Sequence, residues 1–76
     1  MFKIVRYNIH LNISTIEKDN INTMEDAENI SFEIAKKYAS QIKGYNKKYH
    51  IYSSWKDPNL IIDYGSYEYY IEVKEY

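Results

Sequence analysis

Apolar and polar residues alternate most regularly near the amino terminus, where Val5, Tyr7, Ile9, Leu11 and Ile13 take one parity and Arg6, Asn8, His10 and Asn12 the other. A period of two marks a strand with one buried face. The pattern therefore predicts a half-buried strand over residues 3–13 with the odd positions inward. The next stretch, Ser14 to Ile21 (S-T-I-E-K-D-N-I), breaks the alternation with polar turn formers. It reads as a crossover loop, tied to the core by Ile16 and Ile21.

From about Thr23 to Lys43 the period lengthens to that of a helix. Asn22 with Glu25, or Thr23 with Asp26, supplies the cap; acids fill the first turn, lysines the last, and Gly44 stands at the stop. Met24, Ala27, Ile30, Ile34, Ala35, Tyr38 and Ile42 fall on one face of a 100° wheel, with Glu28, Lys36 and Lys43 away from it. Phe32 lies outside that stripe, as a lid at the helix edge or an exposed contact residue.

After Tyr45-Asn46-Lys47, alternation returns over Lys48 to Trp55, with Tyr49, Ile51, Ser53 and Trp55 inward and Lys48, His50, Tyr52 and Ser54 outward. The K-D-P-N turn reverses the chain. Two further runs, Leu60–Tyr64 and Tyr67–Tyr76, flank Gly65-Ser66, a pair suited to a two-residue hairpin. The architecture expected is α+β: a single domain over residues 1–76 in β-α-β-β-β order, with a four-stranded, largely antiparallel sheet and one helix packed on one face. The strand order is left open, and direct pairing of the first two strands would make the sheet mixed.

Composition narrows the chemistry. Seventy-six residues without cysteine exclude disulfides and thiolate metal sites and suit a reducing cytoplasm. The amino terminus lacks the apolar core and cleavage site of a signal peptide, and nothing approaches the roughly 18 apolar residues of a membrane span. Net charge is −1, but residues 1–35 carry three basic and six acidic side chains, 36–56 six lysines and no acid, and 57–76 five acids and one lysine. Such asymmetry either steers a partner or balances lysines at the helix end against an acidic hairpin.

Ten tyrosines are the other bias. Tyr7, Tyr38, Tyr49, Tyr64, Tyr67 and Tyr69 have inward parity and read as core, where a ring buries large area and its hydroxyl reaches the edge. The uncovered face of the sheet is expected to present Arg6, Asn8, His10, Asn12, Lys48, His50, Tyr52, Ile61, Asp63, Glu68, Tyr70, Glu72, Lys74 and Tyr76. Tyrosine beside acid suits a protein partner with a basic surface, ring on guanidinium and carboxylate on Lys or Arg. Tyr52, Asp63, Glu68, Tyr70, Glu72 and Tyr76 are the partner-binding candidates. A solvated face using tyrosine for its strand propensity explains the same pattern.

No phosphate loop, dinucleotide fingerprint, nucleophile elbow, zinc-protease or calcium motif is present. Only His10 and His50 are of a residue type suited to acid-base work near neutral pH, and if their strands are neighbours, with Tyr52, Lys48 or a carboxylate nearby, they meet the minimum for acid-base cleavage of RNA. Single-stranded nucleic-acid binding has the aromatic sheet in its favour but places Glu68 and Glu72 where phosphate is repelled. The expectation is a non-enzymatic protein-binding module without metal or cofactor, of the size and composition common among phage inhibitors of bacterial nucleic-acid-processing or defence enzymes, anti-CRISPR proteins included. Homodimerisation through the open face or the last strand is the alternative use of the same surface.

Overall fold

The computed structural model describes residues 1–42, 52–56 and 59–76, the stretch 52–56 through its backbone. Its elements are β1 (Phe2–Asn8), β2 (Ile13–Ile21), α1 (Met24–Ala39), β3 (Tyr52–Lys56), β4 (Asn59–Asp63) and β5 (Tyr69–Glu75). The strands form one sheet in the order β2-β1-β5-β4-β3, with every neighbouring pair antiparallel. The α+β class, with one helix on one face of an antiparallel sheet, is the one the sequence pattern predicts.

The sheet has a fifth strand because residues 3–13 do not run straight. Asn8 ends β1, and its Oδ1 accepts the backbone N–H groups of His10 and Leu11 at 3.0 and 2.9 Å while its carbonyl accepts that of Asn12 at 2.9 Å. Asn12 takes a left-handed φ of 57°, a conformation asparagine tolerates better than most residues. The chain folds back, and Ser14 to Ile21, expected as a loop, becomes most of β2. Pairing Ile4 with Lys18 but Val5 with Ile16 leaves Glu17 as a bulge.

This reversal also inverts the expected facing of β1. Phe2 and Ile4 lie toward the helix, paired with Glu75 and Val73, whereas Val5 and Tyr7 pair with Glu72 and Tyr70 on the opposite face. Ile9, Leu11 and Ile13, expected inward, are exposed at the hairpin tip. Of the two isoleucines expected to anchor the loop, Ile21 is core and Ile16 is exposed.

The core lies between α1 and the sheet: Ile4, Ile21, Leu60, Ile62, Tyr64, Ile71 and Val73 against Ala27, Ala35 and Ala39. The helix face in contact is a row of small residues four apart, Ala27, Ser31, Ala35 and Ala39, all essentially without exposure. Small side chains on that row bring the helix axis close to the sheet, and the longer Met24, Ile30, Ile34, Tyr38 and Ile42 pack around it half-buried. Phe32 joins them, so it is a lid rather than a free contact residue. Ser31 is tolerated in the row because its hydroxyl donates to the Glu28 carbonyl at 2.7 Å.

Thr23 caps the helix, its Oγ1 accepting the Asp26 N–H at 3.1 Å. The helix stops at Ala39, short of Lys43, with Gln41 and Ile42 donating to Tyr38 and Ala39 in a tightened final turn. Gly44, the 45–47 loop, Lys48, Tyr49, His50 and Ile51 lie outside the described residues, as do Asp57 and Pro58 of the expected turn. Lys56 and Asn59 on either side of that turn are paired.

The Gly65-Ser66 hairpin is replaced by a longer connection, Tyr64 to Glu68. Asp63 Oδ1 accepts the Gly65 N–H at 2.8 Å, and Ser66 Oγ accepts those of Glu68 and Tyr69, each at 3.1 Å. Gly65 has φ of 91°, which favours glycine at this position. Tyr67, expected in the core, is therefore in a loop and 93% exposed. The Glu68 carbonyl accepts the Ile9 N–H at 2.7 Å, which ties this loop to the β1–β2 hairpin.

Candidate functional site

The face of the sheet away from α1 is ordered by one lateral row that crosses all five strands: Ile16, Val5, Glu72, Ile61 and Ser54. On one side of it lie Ser14, Tyr7 and Tyr70; on the other, Lys3 and Lys74. The Tyr7 and Tyr70 rings are 5.0 Å apart and tilted by 35°, a favourable aromatic arrangement. Burial, then the Glu72 charge and Tyr7, raises the Tyr70 hydroxyl above its ordinary pKa. Among the described residues no helix covers this face, and Ile16 on it is 57% exposed.

Glu72 stands between Val5 and Ile61 yet is only 7% exposed. An ionised carboxylate there requires partners. Asn59 Nδ2 donates to its Oε2 at 2.9 Å, and Lys74 Nζ lies 3.8 Å from Oε1. Glu72 is thus an internal acceptor rather than a charge offered to solvent.

The other partner-binding candidates separate. Tyr70 is on the face, half-buried under Tyr7. Asp63 is exposed at the end of β4, and Tyr52 is its strand partner on β3. Glu68 is exposed but precedes β5, so it sits at the rim beside Tyr67 rather than in line with Glu72. Tyr76 is exposed at the far corner, where its hydroxyl donates to Asn20 Oδ1 and accepts the Asn20 N–H, both at 3.0 Å. Lys3 Nζ lies 5.4 Å from the centre of its ring. Tyr76 therefore ties the last residue to the end of β2 and presents only part of its ring.

Of the residues that the parity of β1 misplaced, Tyr7 adds half-buried surface to this face, while Val5, 2% exposed, only packs within it. Tyr7 and Val5 belong to the helix-free face, whereas Arg6, expected there, points to the helix side. Asn8 is buried as the turn acceptor, Asn12 is in the turn, and His10 is exposed at the tip rather than on a strand. His50 lies outside the described residues. Among the described residues no group of three His, Cys, Asp or Glu side chains is placed to hold a metal ion.

Arg6 enters a cluster of tyrosines at the carboxyl end of α1. Its Cζ is 4.3 Å from the Tyr38 ring centre and 4.4 Å from that of Tyr69, and Tyr64 stacks on Tyr38 at 6.0 Å. The Tyr38 hydroxyl donates to Glu17 Oε1 at 2.6 Å. That bond first, burial second and the Glu17 charge third raise the Tyr38 pKa, against an opposing effect of Arg6. Burial raises that of Tyr64, and the Arg6 charge with hydrogen bonds from Ser66 and Arg6 pulls it back.

No protein-family model, curated protein or solved structure matches the chain. No helix among the described residues is long and apolar enough to cross a membrane.

Proposed function

We propose that this chain is a non-enzymatic protein-binding module that engages a partner protein through the helix-free face of its sheet. The observation that carries the reading is that this face exposes Ile16 and half-exposes Ile61, Tyr7 and Tyr70 around a buried centre, Val5 and Glu72, whose one acid is already satisfied within the chain. What this face offers a partner is isoleucine and tyrosine: Ile16, Ile61, Tyr7 and Tyr70. Aromatic and aliphatic side chains held on a sheet give contact area at low entropic cost. The exposed acids Asp63 and Glu68 at one end of the face suit a partner with Lys or Arg around an apolar centre.

The partner class that fits this chemistry in its narrower form is a bacterial nucleic-acid-processing or defence enzyme, whose basic nucleic-acid-binding surface the module would occlude. Size and composition support this form, and the exposed Asp63 and Glu68 agree with it. Occlusion requires no catalytic group on the module.

The test is capture of a partner from host lysate with and without nuclease, followed by affinity measurement on purified variants. Ile16→Lys and the pair Asp63→Lys with Glu68→Lys are expected to weaken binding at least tenfold, whereas Lys36→Glu on the far side of the helix leaves it unchanged. Equal affinity for all variants refutes the reading, and nuclease-sensitive recovery of RNA alone replaces it with nucleic-acid binding. Concentration-dependent light scattering that Ile16→Lys abolishes identifies the partner as a second copy of this chain.

A further inference from the structure

β2 stands at an edge of the sheet, whose order is β2-β1-β5-β4-β3. The last strand, β5, is enclosed between β1 and β4, so edge pairing between copies falls to β2 or β3 rather than to the last strand. Residues Ile13–Ile16 of β2 are all exposed, and among the described residues no hydrogen bond outside the ladder with β1 reaches their backbone. Alternate N–H and C=O groups of such a strand point away from its neighbour and are open to a second strand.

The two halves of this edge differ. Glu17 is a bulge, Lys18 and Asp19 are charged, and Asn20 takes a left-handed φ of 56° with its N–H and Oδ1 held by the Tyr76 hydroxyl. Bulges and charges of this kind deter pairing. Ile13-Ser14-Thr15-Ile16 has no such guard: it is uncharged, extended and bounded by isoleucine at both ends. Of the seven large hydrophobic residues exposed on the described surface, Ile9, Leu11, Ile13 and Ile16 fall on this stretch and the turn that leads into it. Such a concentration marks a contact surface rather than scattered exposure.

We propose that two copies of this chain pair antiparallel through residues 13–17 of β2, joining their sheets edge to edge about a two-fold axis at Thr15. An axis normal to the sheet sets one residue opposite itself and keeps like faces together. Centred on Thr15, the ladder opposes Thr15 to Thr15, Ser14 to Ile16 and Ile13 to Glu17, and it ends before Lys18. Centred on Glu17, Lys18 or Asp19 it would oppose like charges, which destabilises a strand pair. Centred on Ser14 it runs into the turn at Asn12, and centred on Ile16 it opposes residues across the bulge, where the facing no longer matches.

Closure and preorganisation select a second copy as the occupant. β2 against β2 closes at two chains, whereas β2 against β3 of another copy leaves an open edge at each end and runs on without limit. The incoming strand is already formed, so pairing orders no loose segment, and a net charge of −1 gives two copies little mutual repulsion. The stretch before Glu17 holds no charge, so the basic-surfaced partner proposed for the helix-free face gains nothing here. Ile13, opposite in parity to Ile16, lies on the helix side, so the contact is separable from the docking face and does not rest on it. The joined sheet presents that face twice on one side.

The experiment is sedimentation equilibrium of the full chain from micromolar to millimolar concentration, with intermolecular NOEs recorded on a mixture of isotope-labelled and unlabelled chains. The expected mass rises toward that of two chains and stops there, and the NOEs between chains are confined to residues 13–17. Ile13→Glu, which sets like charges opposite at Glu17, is expected to weaken the dimer about tenfold or more, and Ile13→Lys, which sets opposite charges there, to weaken it less. Ile61→Lys, on the helix-free face and away from the edge, is expected to leave the dimer unchanged. A monomer at every concentration, growth beyond two chains, or equal weakening by both substitutions at Ile13 overturns the proposal. So does a dimer that Ile61→Lys abolishes and Ile13→Glu spares, which is self-association through the docking face instead. Should a variant fail to fold, the mass and the NOEs of the parent chain decide it.

Discussion

The polar group at the centre of the helix-free face sets the sharpest quantitative expectation. Glu72 is 7% exposed and flanked across the sheet by Val5 and Ile61, and among the described residues its nearest donor is Asn59 at 2.9 Å. Replacing Asn59 by alanine leaves a buried carboxylate oxygen without that donor, which costs about 1.5–3 kcal/mol for a hydrogen bond to a charged group. Lys74 compensates little: it is 3.8 Å away with its side chain 39% exposed, and such half-solvated pairs are worth about 0–1 kcal/mol. Glu72→Leu removes the charge together with its need for a partner and continues the apolar row. Exchange of a buried ionic group for a hydrophobic one of similar volume is often neutral or stabilising, by up to about 1–4 kcal/mol.

The double-mutant cycle then has a definite form. Asn59→Ala alone lowers stability by about 1.5–3 kcal/mol, equivalent to about 4–8 °C in melting temperature per kcal/mol for a domain of this size. Glu72→Leu alone is no less stable than the parent chain. In the E72L background Asn59→Ala costs less than about 0.5 kcal/mol, so the coupling is at least about 1 kcal/mol. Urea denaturation followed by circular dichroism measures all four corners, and the cycle cancels any separate role of Asn59 in its turn. A coupling below about 0.5 kcal/mol refutes the assignment of Glu72 as an internally satisfied group. It would return that carboxylate to the set of charges available to a partner, where the expectation from strand parity had placed it.

Three further outcomes follow from other parts of the fold. Ala35→Leu inserts bulk into the small-residue row that α1 lays on the sheet and is expected to cost about 1–3 kcal/mol by the same urea assay, or more if the helix cannot shift. Asn8→Ala removes the acceptor of two backbone N–H groups at the hairpin tip and is expected to cost about 1–2 kcal/mol and speed amide exchange at His10 and Leu11. The hydroxyls of Tyr38, Tyr64 and Tyr70 all have pKa values raised above 10.0, so the fold favours their neutral forms. Their contribution is complete below that value and is lost as pH rises through the higher folded values; tyrosinate absorbance should develop late for these rings, and urea midpoints should fall above pH about 10.

The helix was legible because its signals are local. Thr23, the acidic first turn and the lysines of the last turn all describe a helix by themselves, and the structure needs no other part of the chain to satisfy them. The sheet-facing row was read in part: Ala27 and Ala35 stand on the expected stripe, but Ser31 and Ala39 complete the row, and what selects all four is small size where helix and sheet meet. β4 and β5 were read correctly in their parity because Ile62, Ile71 and Val73 are followed through from turn to turn without a hidden reversal. Tyr67 was misread because Ser66 and Asp63 draw the backbone into local hydrogen bonds that a strand pattern does not record.

The larger miss, at β1, has one physical origin and bears on both surfaces. Alternation continues through Ile9, Leu11 and Ile13 although the chain reverses there, because a hairpin preserves a period of two on either side of its turn. The only marks of the reversal are Asn8 and Asn12, one supplying a side-chain acceptor and the other a positive φ, and both are also compatible with the polar face of a continuous strand. Once the strand is broken there, its pairing with β5 decides the facing: Ile4 must meet Val73, and every neighbour follows. That single choice sends Tyr7 to lie against Tyr70 on the helix-free face and Arg6 in among Tyr38, Tyr64 and Tyr69. The proposed docking face gains its aromatic pair, and the tyrosine cluster at the end of α1 its cation, from the same inversion. Neither surface is visible while residues 3–13 are read as one strand.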